Sequence, residues 1–130
     1  MRANAMGRVR TDIRVNGRKL WTLFDSGSRN TYITKRAARG LDVKDWPQEL
    51  SVALGGKVHK VRRSCLLRAR LEGRWIETLA RIVDKIGPDE DGTQIDVLFG
   101  ALAMQEWGIR LDMENEKLDL SRYTTNFVEF

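Results

Sequence analysis

Asn16-Gly17 lies between two runs of alternating apolar and polar residues, and that arrangement commits the start of the chain to β-structure. Val9, Thr11, Ile13 and Val15 alternate with polar neighbours before it, as a strand with one buried face requires. Lys19 to Phe24 forms the returning strand. Asn-Gly suits a two-residue type I′ turn because both central residues take positive φ there. The device recurs downstream. Ser51 to Leu54 and Lys57 to Val61 flank Gly55-Gly56, whose tip is expected to be mobile, and Cys65 to Glu72 and Trp75 to Val83 flank Gly73-Arg74. Short strands at this spacing predict an all-β fold closed into a small barrel.

The remaining segments fit around that frame. Thr31 to Thr34, Ile95 to Phe99, Ile109 to Met113 and Lys117 to Leu120 read as further short strands. Lys35 to Arg39 supplies about one helical turn before Gly40, and Ala101 to Trp107 reads as one short helix near the C-terminus, stopped by Gly108. Leu41 to Glu49, which contains Asp45-Trp46-Pro47, reads as a loop. Ile86 to Thr93 reads as a polar surface loop around Gly87-Pro88-Asp89-Glu90-Asp91-Gly92. The tail, Tyr123 to Phe130, is strand-like in composition. With no linker and no repeat of fixed period, the 130 residues read as a single domain spanning 1–130.

Composition narrows the function classes. The chain is 42% hydrophobic, which supports a core and argues against disorder. Its 23 Lys and Arg against 18 Asp and Glu leave a formal charge of +5. Many cations alternate with apolar residues, as in Leu67-Arg68-Ala69-Arg70-Leu71, the pattern of a solvated strand face. The other reading is a basic face for nucleic acid or an acidic partner. No nucleic-acid motif or aromatic cluster accompanies these cations, so a nucleic-acid partner is not expected. Cys65 is the only cysteine, which excludes an intrachain disulfide and suits a reducing, cytoplasmic setting. It sits in an apolar stretch and reads as a core residue. With His59 the only histidine, a zinc site is not expected. No apolar leader opens the chain, and the longest apolar run, Val97 to Met104, is too short to cross a bilayer, so no membrane association is expected.

The candidate chemistry lies at Asp25. An apolar strand, Leu20 to Phe24, runs into Asp25-Ser26-Gly27-Ser28, and a second apolar run, Val97-Leu98-Phe99, ends at Gly100 just before the helix. A carboxylate at the mouth of a buried strand, on a Ser-Gly turn, packs poorly. There it is partly withdrawn from water, where acid–base work becomes available to it. Hairpin, Asp-Ser-Gly-Ser, double-glycine hairpin, apolar-apolar-Gly and short helix follow in the order of parts that resembles the retropepsin-type aspartic proteases, over roughly Val9 to Leu120.

The resemblance implies a homodimeric endopeptidase acting on an extended peptide or unfolded protein, without metal or cofactor. One Asp25 per subunit would meet its symmetry mate, and the two would hold one proton between them. Ser26, at the family's Thr/Ser position, would brace the pair through the partner's backbone. Gly27 would admit close approach of backbone, and Ser28 would donate to an outer carboxylate oxygen. Gly55 and Gly56 would form the tip of a flap over substrate, and Leu98-Phe99-Gly100 would pack behind the catalytic loop. The chain departs from the retroviral pattern in one respect. An acid two residues after the motif glycine commonly pairs with an arginine after the later apolar-apolar-Gly, and here those positions hold Arg29 and Ala101. A dimer of the same fold that binds peptides or partners without cutting them is the alternative.

Overall fold

The computed structural model describes residues 7–125. Nine strands and one short helix are found among them: β1 (Arg8–Val15), β2 (Arg18–Asp25), β3 (Thr31–Thr34), β4 (Asp42–Leu54), β5 (Lys57–Leu71), β6 (Arg74–Val83), β7 (Val97–Phe99), α1 (Ala101–Trp107), β8 (Arg110–Asp112) and β9 (Lys117–Asp119). The first seven strands form one sheet in the order β1-β2-β7-β3-β6-β5-β4. A pairing between β1 and β5 at Arg14 and Arg70 closes it into a barrel and leaves β4 outside the closure. The fold is the all-β, retropepsin-like barrel with one short helix that the turn spacing and the order of parts led us to expect.

Three hairpins rest on two-residue turns whose central residues all have positive φ: Asn16-Gly17, Gly55-Gly56 and Glu72-Gly73. The third lies one residue earlier than Gly73-Arg74. Type I′ geometry matches the right-handed twist of the strands it joins, so each turn also sets its register.

The stretch expected to be a loop at Leu41 to Glu49 is strand over most of its length, because β4 begins at Asp42. Its register against β5 shifts between Asp45 and Leu50, and Pro47 lies within that shift, where no ladder N–H is required of it. Lys35 to Arg39 is a turn rather than a helix, closed by the Ala38 N–H on the Thr34 carbonyl at 2.9 Å. Tyr123 to Thr125 form no strand, and the rest of the strand-like tail lies outside the described residues. Tyr123 stacks on Trp107 at 6.2 Å between ring centroids and donates its hydroxyl to the Trp75 carbonyl at 2.7 Å.

Two apolar clusters share the strands. The main one includes Ile13, Phe24, Ile33, Leu67, Ile76 and Phe99, capped by Ala103, Met104 and Trp107 of α1. The second gathers Leu23, Tyr32, Val61, Val83, Ile95 and Leu98 beneath the β4–β5 hairpin. Alternation along β2 sends Phe24 to the first cluster and Leu23 to the second, and β7 divides Phe99 and Leu98 in the same way. Cys65 is 1% exposed in the main core, and burial pushes its thiol up to about 11. A thiol in that state is a packing group, not a nucleophile. Among the described residues no helix is long and apolar enough to cross a membrane, and no group of His, Cys, Asp and Glu is placed to hold a metal ion.

Candidate active site

β2 delivers Asp25 at its last residue, and the chain turns at once. The Ser28 N–H returns to the Asp25 carbonyl at 3.2 Å, and the Gly27 N–H donates to Asp25 Oδ1 at 2.8 Å. A Cβ at Gly27 would sit 3.1 Å from that same oxygen, so a side chain there presses on the carboxylate. The Asp25 side chain is 13% exposed, and Arg8 Nε lies 3.6 Å from its Oδ2. Ser26 is held from its own chain, with its N–H 2.8 Å and its Oγ 3.3 Å from the Gly7 carbonyl. The Ser28 hydroxyl donates to the Asn30 carbonyl at 3.1 Å, so in the single chain it braces the turn rather than the carboxylate.

The turn rests on elements remote in sequence. β7 inserts between β2 and β3, parallel to the former and antiparallel to the latter. Gly100 follows directly, and a Cβ there would lie 2.2 Å from the Asn30 carbonyl oxygen and 2.8 Å from that of Ser28. No side chain fits such a gap, and the close approach lets main chain bond main chain. The Ala101 N–H donates to the Ser28 carbonyl at 2.6 Å, and the Leu102 N–H to the Arg29 carbonyl at 3.1 Å. The Gly100 N–H donates to Thr31 Oγ1 at 3.0 Å. Positions 29 and 101, which cannot form the retroviral ion pair, thus sit on segments joined through backbone.

Around Asp25 opens a cleft of about 420 Å³. Leu23 and Leu98 line it beside the Asp25 turn, and Ala53, Leu54 and Gly55 bring in the hairpin tip. Gly56 completes the tip's turn. Ile86 and Pro88 add a wall that sequence reasoning did not assign to the site. The segment carrying them is anchored, not merely a polar surface loop. Asp89 Oδ2 accepts the Trp21 indole N–H at 2.8 Å and meets Arg10 at 3.1 Å, while its Oδ1 accepts the N–H groups of Asp91 and Thr93 at 2.8 and 2.9 Å. The Asp89 side chain is only 3% exposed. Burial alone would push its carboxyl up, but the hydrogen bonds from Trp21, Thr93 and Asp91, with the charge of Arg10, outweigh it and hold the group below the usual carboxylate range. Asp96 makes a second tie to β2, accepting the Trp21 backbone N–H at 2.8 Å. An Asp two residues before Asp91 and four before Thr93, in a Gly- and Pro-rich stretch, is a local turn signal. Nothing local points to Trp21.

Residues 11–102 match the model of a protein family described as aspartyl protease. The fold is similar to the retroviral protease-like domain of Ddi1 from Leishmania major, at a TM-score of 0.62 and 18% identity, covering 88% of each chain. It is also similar to the EIAV protease, solved with the inhibitor HBY-793, at a TM-score of 0.59 and 18% identity over 85% of this chain and 98% of that one. No curated protein sequence matches the chain.

Proposed function

The chain belongs to the aspartyl protease family, and from that premise we propose that it is a homodimeric endopeptidase with one Asp25 contributed by each subunit. The observation that carries this reading is the position of Asp25. A largely buried carboxylate lies in a cleft reached by the tip of a glycine-turned hairpin. Each chain supplies one such carboxylate, and water activation by this chemistry takes two. One Asp25 removes a proton from water as the water attacks the scissile carbonyl, and the other, protonated, donates to the carbonyl oxygen. The Gly27 N–H fixes the orientation of Asp25. The hairpin tip closes over an extended peptide and excludes bulk water. The lone buried thiol is in keeping with a cytoplasmic setting.

One observation favours the second reading, a dimer that binds peptides without cutting them. Arg8 Nε lies 3.6 Å from Asp25 Oδ2, so a cation already stands beside the carboxylate that a second carboxylate would have to approach. Digestion of an unfolded protein by the intact chain and by Asp25→Asn, with sedimentation of both, separates the readings. The endopeptidase reading requires cleavage by the first only, with the same dimer in both. Extended-peptide binding without cleavage by either supports the binding module. A monomer whose specific activity is full and independent of concentration overturns the dimeric mechanism.

A further inference from the structure

A larger opening, of about 960 Å³, lies away from the cleft and shares none of its lining residues. It runs between the turn after β3, the end of β6 and the lower half of β5. Six cations line it: Lys35, Arg36 and Arg39 from the turn, and Lys60, Arg62 and Arg63 from β5. Asp84 is the one acidic residue in its lining. Lys60 and Arg62 meet Glu49, and Arg63 meets Asp45, in exposed pairs of the kind that contribute little and exchange readily. Lys35, Arg36 and Arg39 make no ion pair among the described residues. Between the charges lies an aliphatic floor that includes Leu41, Val43 and Ile82, with Val43 37% exposed.

The backbone adds a second feature. β6 pairs with β5 only from Ser64 to Leu71, and the chain leaves the sheet after Val83, whose carbonyl takes the Lys35 N–H at 2.8 Å. Over residues 60–63, β5 therefore has β4 on one edge and no paired strand on the other among the described residues. A free strand edge, an aliphatic floor and a surplus of cations together match one kind of ligand.

We propose that this groove binds an acidic polypeptide segment in extended form, laid along the free edge of β5. Its carboxylates meet the lysines and arginines, and its aliphatic side chains rest on Leu41, Val43 and Ile82. Strand addition supplies affinity through main-chain hydrogen bonds, and the cations select for acidic sequence and speed encounter. A nucleic acid fits less well. The lining holds no aromatic ring on which a base could stack, and phosphates make no use of the aliphatic floor.

The test is fluorescence anisotropy of a labelled peptide in which glutamates are interspersed with leucines, measured on the Asp25→Asn chain so that the probe is not cut. Binding is expected to weaken with added salt and to fall by about tenfold or more when Arg36→Glu and Arg39→Glu are combined, since two cations become repulsive. Arg14→Glu with Arg110→Glu makes the same change in net charge elsewhere on the surface and is expected to leave binding within about twofold. Circular dichroism of each variant confirms that it is folded. An absence of peptide binding overturns the proposal, and so does an equal loss in both double variants. Tighter binding of duplex DNA than of the peptide, lost in the Arg36/Arg39 variant, overturns it in favour of a nucleic-acid surface.

Discussion

The carboxylate of Asp89 accepts the indole N–H of Trp21 across 68 positions of sequence, at 2.8 Å. That bond fastens the wall of the cleft to the strand that ends in Asp25. Arg10, from the neighbouring strand, closes the arrangement from a third side. The cleft's shape thus depends on a buried acid that is not itself part of the cleft's lining.

Asp89→Ala is expected to cost about 2–4 kcal/mol in urea unfolding, since it orphans the Trp21 N–H and removes Arg10's buried counter-charge. Asp89 is held below the usual range in the folded chain, so its stabilisation is fully present above the unfolded carboxylate value and is lost as pH falls through the folded one. Thermal midpoints should therefore drop below about pH 4. Asp89→Asn, which cannot titrate, should flatten that drop. An unchanged acid limb in the Asn variant would show that other carboxylates set it.

Gly100→Ala is expected to abolish activity and to destabilise the chain by about 3 kcal/mol or more. The new methyl meets backbone carbonyls at 2.2 and 2.8 Å, and neither can rotate away. Chemical unfolding gives the stability, and the activity of whatever fraction folds shows whether the Asp25 turn has moved. A fully stable, fully active Ala variant would mean that helix α1 can retreat from the turn.

Gly55→Asn keeps the type I′ turn, because Asn accepts positive φ and nothing lies within 4 Å of a Cβ there. Its stability is expected to stay within about 0.5 kcal/mol of the parent. Its kcat/KM is expected to fall about tenfold if, as proposed, the tip brings backbone close to the bound peptide. Replacing both Gly55 and Gly56 with alanine should in addition cost roughly 1 kcal/mol at each position, from left-handed backbone strain. An Asn variant with unchanged stability and unchanged kcat/KM would assign these glycines to the turn alone.

Cys65 should resist thiol reagents at pH 8 in the folded chain and react at once in urea. Its thiol is displaced upward by burial, to about 11, so folding favours the neutral form. That contribution is complete below the unfolded thiol value and is lost as pH climbs through the folded one, between roughly pH 9 and 11. Rapid labelling of the native chain at pH 8 would contradict this burial.

Local chemistry made much of this fold legible. Asn16-Gly17 and Gly55-Gly56 announce their turns because few residue pairs tolerate that backbone, and Gly108 stops α1 for the same reason. Asp25 stood out because a charge at the end of Leu20 to Phe24 breaks a burial pattern. Asp42 to Glu49 did not read as strand. The segment is mostly exposed, is rich in charge and contains Pro47, and its pairing depends on a register shift that only β5 defines. The hydrogen bond of Ser28 was equally hidden, since a hydroxyl two residues from a carbonyl and three from a carboxylate has two partners within reach. The Asp89 anchor and the basic groove are assembled from residues brought together by barrel closure, and no local pattern encodes either.

The insertion of β7 between β2 and β3 sets an order of events during folding. Asp25 and its turn leave the ribosome before β7 does. The strand that completes the floor is made more than seventy residues later, as the 75-residue separation of Trp21 and Asp96 illustrates. Until then β2 and β3 have a vacant lane between them, and the loop between them lacks the main-chain bonds from residues 100–102. Contacts of such long range slow the search for the native state. A nascent or truncated chain ending before residue 97 therefore carries the motif without its scaffold, and the Asp25 turn gains its main-chain support only once residues 97–102 have been made.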